Sequence, residues 1–152
     1  MELTGSTIIA ADRETVWTHL NSPETLAACI PGCQELTGTA QDGFEAVVKQ
    51  KVGPVSATFK GSVTLTNVVA PVSYTINGEG KGGVAGFAKG VADVTLTEVE
   101  DGTELSYSVD ARVGGKLAQL GNRIIQGFAR KMVDAFFERF KAEVEGPAEA
   151  DD

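Results

Sequence analysis

Residues 104–140 read ELSYSVDARVGGKLAQLGNRIIQGFARKMVDAFFERF, and the hydrophobic period changes in the middle of them. From Glu104 to Val113 apolar and polar residues alternate strictly: Leu105, Tyr107, Val109, Ala111 and Val113 against Glu104, Ser106, Ser108, Asp110 and Arg112. That is the period of a half-buried strand. After Gly114-Gly115 the apolar residues fall at Leu117, Leu120, Ile124, Phe128, Met132, Phe136 and Phe140, the spacing of an amphipathic helix that runs to about Val144. A helix with such a stripe must bury it, and the only large partner is the set of strands that precedes it. A curved sheet folded around a long helix leaves space between the two, so an apolar hollow is the expected seat of function.

Working outward toward the N-terminus, the strands continue. Asp101-Gly102 signals a hairpin, and Ala92, Val94 and Leu96 mark a strand from about Phe87 to Val99. Val72, Tyr74 and Ile76 lead another. Ala57, Phe59, Gly61, Val63 and Leu65 line one face of a long strand, and Phe44, Ala46 and Val48 alternate before the Gly53-Pro54 turn. Cys33 to Thr39 is a further strand, and residues 2–10 alternate with Leu3, Gly5, Thr7 and Ile9 on one face. Between these last two lie two short helices. Asp12 is the expected N-cap of the first, which ends near Leu20; Ser22 caps the second, with Pro23 at its first position. A strand, two helices, an antiparallel run of strands and a final helix make an α+β domain over residues 1–146. The acidic residues 147–152 read as a disordered tail.

The chain has 152 residues and a net charge of −8. A chain of this length buries roughly 70% of its extended surface, enough for a real core. The acids gather at the two ends, with Glu2, Asp12, Glu14, Glu24, Glu35 and Asp42 opposed by Arg13 alone in the first segment. This balance excludes nucleic acid as a partner and argues against simple electrostatic adhesion to an anionic membrane. Lys116, Arg123, Arg130, Lys131, Arg139 and Lys141 on the last helix read as a solvated face, with a local docking surface as the alternative. No apolar run is long enough to span a bilayer and no basic-then-apolar leader opens the chain, so a cytoplasmic location is expected.

Groups that carry chemistry are few. Cys29 and Cys33 have three residues between them, a gap unlike that of zinc knuckles or dithiol redox pairs, and read as reduced thiols. His19 is the only imidazole, and no G-x-S-x-G elbow accompanies it. Gly78-Glu79-Gly80-Lys81-Gly82-Gly83 matches G-x-G-x-x-G formally, but Gly86 and Gly90 follow where a phosphate-binding helix would have to start. A glycine-rich hairpin is the expected structure there. Asp110 lies on the polar face of the last strand; Asp93 is the residue that a cavity catalyst would use if a bulge turned it inward.

The ligand-lining residues expected from these faces fall into two groups. From the sheet and second helix come Leu26, Phe59, Val63, Tyr74, Phe87, Tyr107 and Val109; from the last helix come Ile124, Phe128, Met132 and Phe136. Tyr74 and Tyr107 each offer a hydroxyl to a ligand carbonyl.

Particular stretches carry a family resemblance: Gly5 with Val16-Trp17, Ile30-Pro31-Gly32-Cys33, Val52-Gly53-Pro54-Val55, Phe59-Lys60-Gly61, Gly102-Thr103 before Leu105 and Tyr107, and Gly114-Gly115-Lys116-Leu117-Ala118-Gln119-Leu120-Gly121. On these the chain resembles the CoxG family of carbon monoxide dehydrogenase, within the START/polyketide-cyclase-like (SRPBCC) helix-grip superfamily. The resemblance implies a curved seven-stranded antiparallel sheet gripping the C-terminal helix around an apolar cavity. It implies a non-enzymatic accessory role beside a molybdenum hydroxylase-type dehydrogenase, helping recruitment to the inner face of the cytoplasmic membrane or electron transfer to quinone. It implies no intrinsic cofactor, but a bound quinone or lipid. Longer relatives carry an apolar, membrane-seeking C-terminal segment where this sequence has acidic residues, so membrane contact would come through the complex. Two other readings stay open: a cavity enzyme of polyketide cyclase or aldolase type, and an assembly factor with a filled core.

Overall fold

A computed structural model describes residues 1–146. The acidic residues 147–152 lie outside the described residues. Strand β1 (Glu2–Ile9) is followed by helices α1 (Arg13–Leu20) and α2 (Pro23–Cys29). Six strands come next: β2 (Cys33–Thr39), β3 (Gly43–Val52), β4 (Val55–Val69), β5 (Ser73–Lys81), β6 (Phe87–Val99) and β7 (Gly102–Gly114). A 3-10 turn, Gly83–Ala85, sits between β5 and β6. Two helices close the chain, α3 (Lys116–Gln119) and α4 (Asn122–Glu145). All seven strands form one antiparallel sheet in the order β1-β7-β6-β5-β4-β3-β2. The α+β class is the one the alternation announced, and the seven-stranded helix-grip arrangement is the one the family resemblance implied.

Local chemistry explains the entry helices. The Asp12 carboxylate accepts from the Thr15 backbone N–H at 2.7 Å, and this hydrogen bond lowers its pKa from the ordinary carboxylate value. Ser22 Oγ accepts from Thr25 N–H and Pro23 occupies the first turn of α2. Thr103, wholly buried, donates to the Ala11 carbonyl at 2.8 Å and fixes the chain where β1 gives way to α1.

The long helix is where the structure corrects the sequence reading. It is broken at Leu120-Gly121, where Gly121 has φ +89°, a left-handed conformation that glycine adopts without strain. The inward stripe of α4 then starts at Ile125, which is buried, while Ile124 is 42% exposed. The cause is geometric. The expected stripe repeats every four residues, and at 100° per residue Ile124 lies about 160° around the helix from Phe140.

The buried residues form two clusters. One joins Ile9, Val16, Leu20, Cys29, Tyr74, Val94, Leu96, Leu105 and Phe140 at the end of the sheet nearest α1 and α2. The other joins Val52, Leu117 and Ile125 at the opposite end, under α3 and the first turns of α4. Between them the concave face is short of side chains. Gly61, Gly78, Gly80 and Gly90 occupy inward positions of β4, β5 and β6. A Cβ on Gly80 would meet nothing closer than 3.9 Å. Glycines at such positions let the sheet bend and leave the facing helix without a partner to pack on.

Candidate functional site: two apolar hollows under the helix

The space between sheet and helix is divided in two. The larger hollow has a volume of about 380 Å³. Leu3, Val48, Val52, Phe59, Val109, Ala111 and Val113 line it from the sheet; Leu117, Ile125, Phe128, Ala129, Met132 and Val133 line it from α3 and α4. No polar atom contributes to its wall. Gln50 borders it, but its amide donates to the Pro31 carbonyl. The smaller hollow, about 240 Å³, lies beside α1 and α2 and is lined by Leu20, Leu26, Ile30, Val63, Leu65, Tyr74, Ile76 and Phe136, among others.

Phe137 lines the smaller hollow, and Tyr107 lines neither. Along β7, Leu105 faces the smaller hollow and Val109 the larger. The intervening Tyr107 stacks on Phe137 with ring centroids 5.6 Å apart. Its hydroxyl does not face a ligand. It accepts from Arg130 Nη1 at 2.7 Å, over Gly5 of the neighbouring strand, and Arg130 Nη2 donates to the Thr4 carbonyl at 3.1 Å. This hydrogen-bonded pair sews α4 to edge strand β1.

The residues expected to meet in one cavity are thus distributed. Phe59, Val109, Phe128 and Met132 line the larger hollow; Leu26, Val63, Tyr74 and Phe136 line the smaller one; Tyr107 lines neither and faces a separate groove with Gly5 and Arg130. Ile124 and Phe87 line neither. Phe87 lies on the outer face, 47% exposed, its ring covering Gly114 directly across the strand pair. The strand alternation carried the signal, because Ala92, Val94 and Leu96 put the even residues of β6 inward. Ala129, Val133 and Leu3 escaped the sequence reading, although a 3.6-residue period from Phe140 reaches Ala129 and Val133.

Tyr74 differs from its neighbours. It is 5% exposed and its ring meets Trp17 edge-on at 5.1 Å. Burial pushes its pKa upward from the ordinary tyrosine value. Its hydroxyl has no hydrogen-bond partner among the described residues, yet no sealed side-chain oxygen is left unpaired there, so the hydroxyl opens onto the smaller hollow. The other titratable candidates sit outside. Asp93 accepts from Thr75 Oγ1 at 2.8 Å on the exposed face, Asp110 is exposed, and His19 Nδ1 pairs with Thr25 Oγ1 at 3.1 Å. Cys29 is buried and Cys33 half-buried, both as free thiols; burial, and secondarily the Glu143 carboxylate, pushes the Cys29 thiol up to about 11, with Arg139 acting the other way. No helix among the described residues is long and apolar enough to cross a membrane.

Comparison with known proteins agrees with this geometry. The family model that describes CoxG, the G-type subunit of carbon monoxide dehydrogenase, matches residues 5–145. The chain belongs to the CoxG family. Its family therefore associates it with carbon monoxide dehydrogenase in an accessory role. Among solved structures, a conserved protein from Geobacillus kaustophilus superposes with a TM-score of 0.89 at 29% identity, covering 95% of each chain. A protein from Chromobacterium violaceum gives a TM-score of 0.71 at 14% identity over 96% of this chain and 99% of that one. One from Rhodobacter sphaeroides gives 0.70 at 18% identity over 96% and 93%. The last two share the fold alone. No curated protein matches the chain.

Proposed function

We propose that this CoxG-family chain is a non-enzymatic carrier of a small apolar molecule, a quinone or a lipid, serving a molybdenum carbon monoxide dehydrogenase-type complex. The observation that carries the reading is the 380 Å³ hollow walled by apolar atoms alone. Its volume falls in the range of small-molecule sites, roughly 300–1,000 Å³. An apolar ring or chain entering it loses no hydrogen bonds to the wall and gains about 25 cal/mol for each Å² removed from water. Met132 and Phe128 adapt to such a guest at little cost. A cyclase or aldolase in the same place would need a base, and among the described residues no ionisable side chain other than the Tyr74 phenol lines either hollow. A carrier of this kind would work at the inner face of the cytoplasmic membrane, between dehydrogenase and quinone pool.

The test is organic extraction of the protein purified from its native host, with the dehydrogenase subunits sought in the same eluate. A stoichiometric quinone or lipid in the extract, together with co-purifying dehydrogenase, is the expected result. An empty protein from a host rich in quinone would overturn the carrier reading.

A further inference from the structure

The inward glycines of the concave face lie side by side. Gly61 pairs directly with Gly80 across β4 and β5, and Gly78 directly with Gly90 across β5 and β6. Each weakens the strand that holds it, because glycine loses the most backbone freedom on ordering and brings no side chain to pack. Their position relative to the two hollows gives them a use. Along β4 the inward residues run Val63, Gly61, Phe59, and along β5 they run Ile76, Gly78, Gly80. Val63 and Ile76 line the smaller hollow; Phe59 and Gly80 line the larger. Gly61 and Gly78 therefore floor the boundary between them. A Cβ on Gly61, Gly78 or Gly80 would have no atom of α4 within 4 Å. The helix approaches β1 and β3 more closely than it approaches β4, β5 or β6, which leaves a trough above the glycines.

A second observation comes from the wall of the smaller hollow. Among the described residues its one polar side chain is Tyr74. That side chain is 5% exposed, and its hydroxyl has no protein partner and opens into the hollow. A buried hydroxyl without a partner costs stability, and an acceptor on a guest would remove that cost. Among the described residues neither hollow has a cation or a carboxylate in its wall. A phosphate or carboxylate group carried in would therefore lie unpaired in an apolar site.

We infer that the two hollows take one elongated, uncharged guest between them, whose carbonyl-bearing head accepts a hydrogen bond from Tyr74 and whose apolar chain crosses the glycine floor into the larger hollow. This rests on the carrier reading and narrows it. It selects neutral lipids with a compact ketone or quinone head, and it rejects fatty acids and phospholipids. The smaller hollow, at about 240 Å³, has room for such a head, since about 150 Å³ holds a benzene ring. The wall is continuous on the helix side as well: Met132 lines the larger hollow and Phe136, one turn further on, the smaller.

Amide NMR titrations with a matched set of phenyl compounds test it. Dodecanophenone should shift the amides of Tyr74, Gly61, Gly78 and Gly80 together, acetophenone that of Tyr74 without those of Gly61 and Gly80, and dodecanoate at pH 8 none of them. Tyr74→Phe should weaken dodecanophenone about two- to tenfold, the weight of one hydrogen bond, and leave dodecylbenzene, which has no carbonyl, unchanged. Gly78→Val places a residue that favours strands on the floor; it should keep the parent Tm and lose dodecanophenone while still binding acetophenone. Ala129→Leu fills the larger hollow from the helix side and should discriminate the two ketones in the same way, so the spanning arm does not depend on the folding of one variant. Dodecanophenone affinity unchanged in Tyr74→Phe, an equal loss of dodecylbenzene there, dodecanoate bound as well as the ketone, or dodecanophenone retained by both filled variants would overturn the inference. A parent protein that binds no member of the set would overturn the carrier reading with it, so the two failures are told apart.

Discussion

Ala129→Leu distinguishes a hollow from a packed core by the sign of its effect. Ala129 lies on the inward face of α4 and lines the larger hollow. Leucine adds three carbons there, about 2.4 kcal/mol of burial at about 0.8 kcal/mol per methylene. Ordering the new side chain costs about 0.5–1 kcal/mol, and the helix propensities of the two residues differ little. The net expectation is stabilisation by about 1.5 kcal/mol, or about 3–6 °C in Tm for a chain of this size. Insertion into a close-packed core would instead cost about 1–3 kcal/mol. Gly5→Ala supplies the packed control. Its Cβ would fall 2.3 Å from Tyr107 Oη and 2.7 Å from Cζ, and moving that ring breaks its stack on Phe137 and its hydrogen bond from Arg130. Differential scanning calorimetry of the two variants is the assay. The reasoning predicts a higher Tm for Ala129→Leu and a lower one for Gly5→Ala; a fall in both would refute the claim of free space beneath α4.

Other consequences follow from single groups. Tyr74→Phe removes a hydroxyl without a protein partner, so chemical denaturation should show stability changed by less than about 0.5 kcal/mol, while a ligand held by that hydroxyl would bind more weakly in titration calorimetry. Thr103→Val strips the hydrogen bond to Ala11 from a fully buried site and should cost about 1–3 kcal/mol in urea unfolding. The Cys29 thiol, raised in the folded state from 9.0 to about 11, favours the protonated native form. Its contribution is complete below pH 9 and is lost as pH climbs through 11. Urea midpoints measured across that interval should fall more steeply for the parent than for Cys29→Ala.

Much of this was legible because alternation is a strong constraint. Strand β7 shows its inward face without ambiguity, and the Asp12 and Ser22 caps are local chemistry that needs no tertiary context. Phe87 was misplaced by residue type, since its position in the alternation of β6 already put it outside. Ile124 was misplaced by a four-residue period carried too far along a 3.6-residue helix, and by a left-handed Gly121 that resets the phase. The placement of Tyr107 outside both hollows was not legible. It depends on Arg130 reaching Tyr107 from 23 residues away and on Phe137 stacking beneath it, and neither contact leaves a mark in spacing.

The central claim is that an apolar guest occupies the larger hollow. Native mass spectrometry after exposure to quinone-containing vesicles tests it most directly. The account predicts a one-to-one quinone adduct on the parent protein and its loss from Ala129→Leu, whose side chain takes up the same space. Protein that stays empty at saturating quinone, or an adduct that survives Ala129→Leu undiminished, would contradict it.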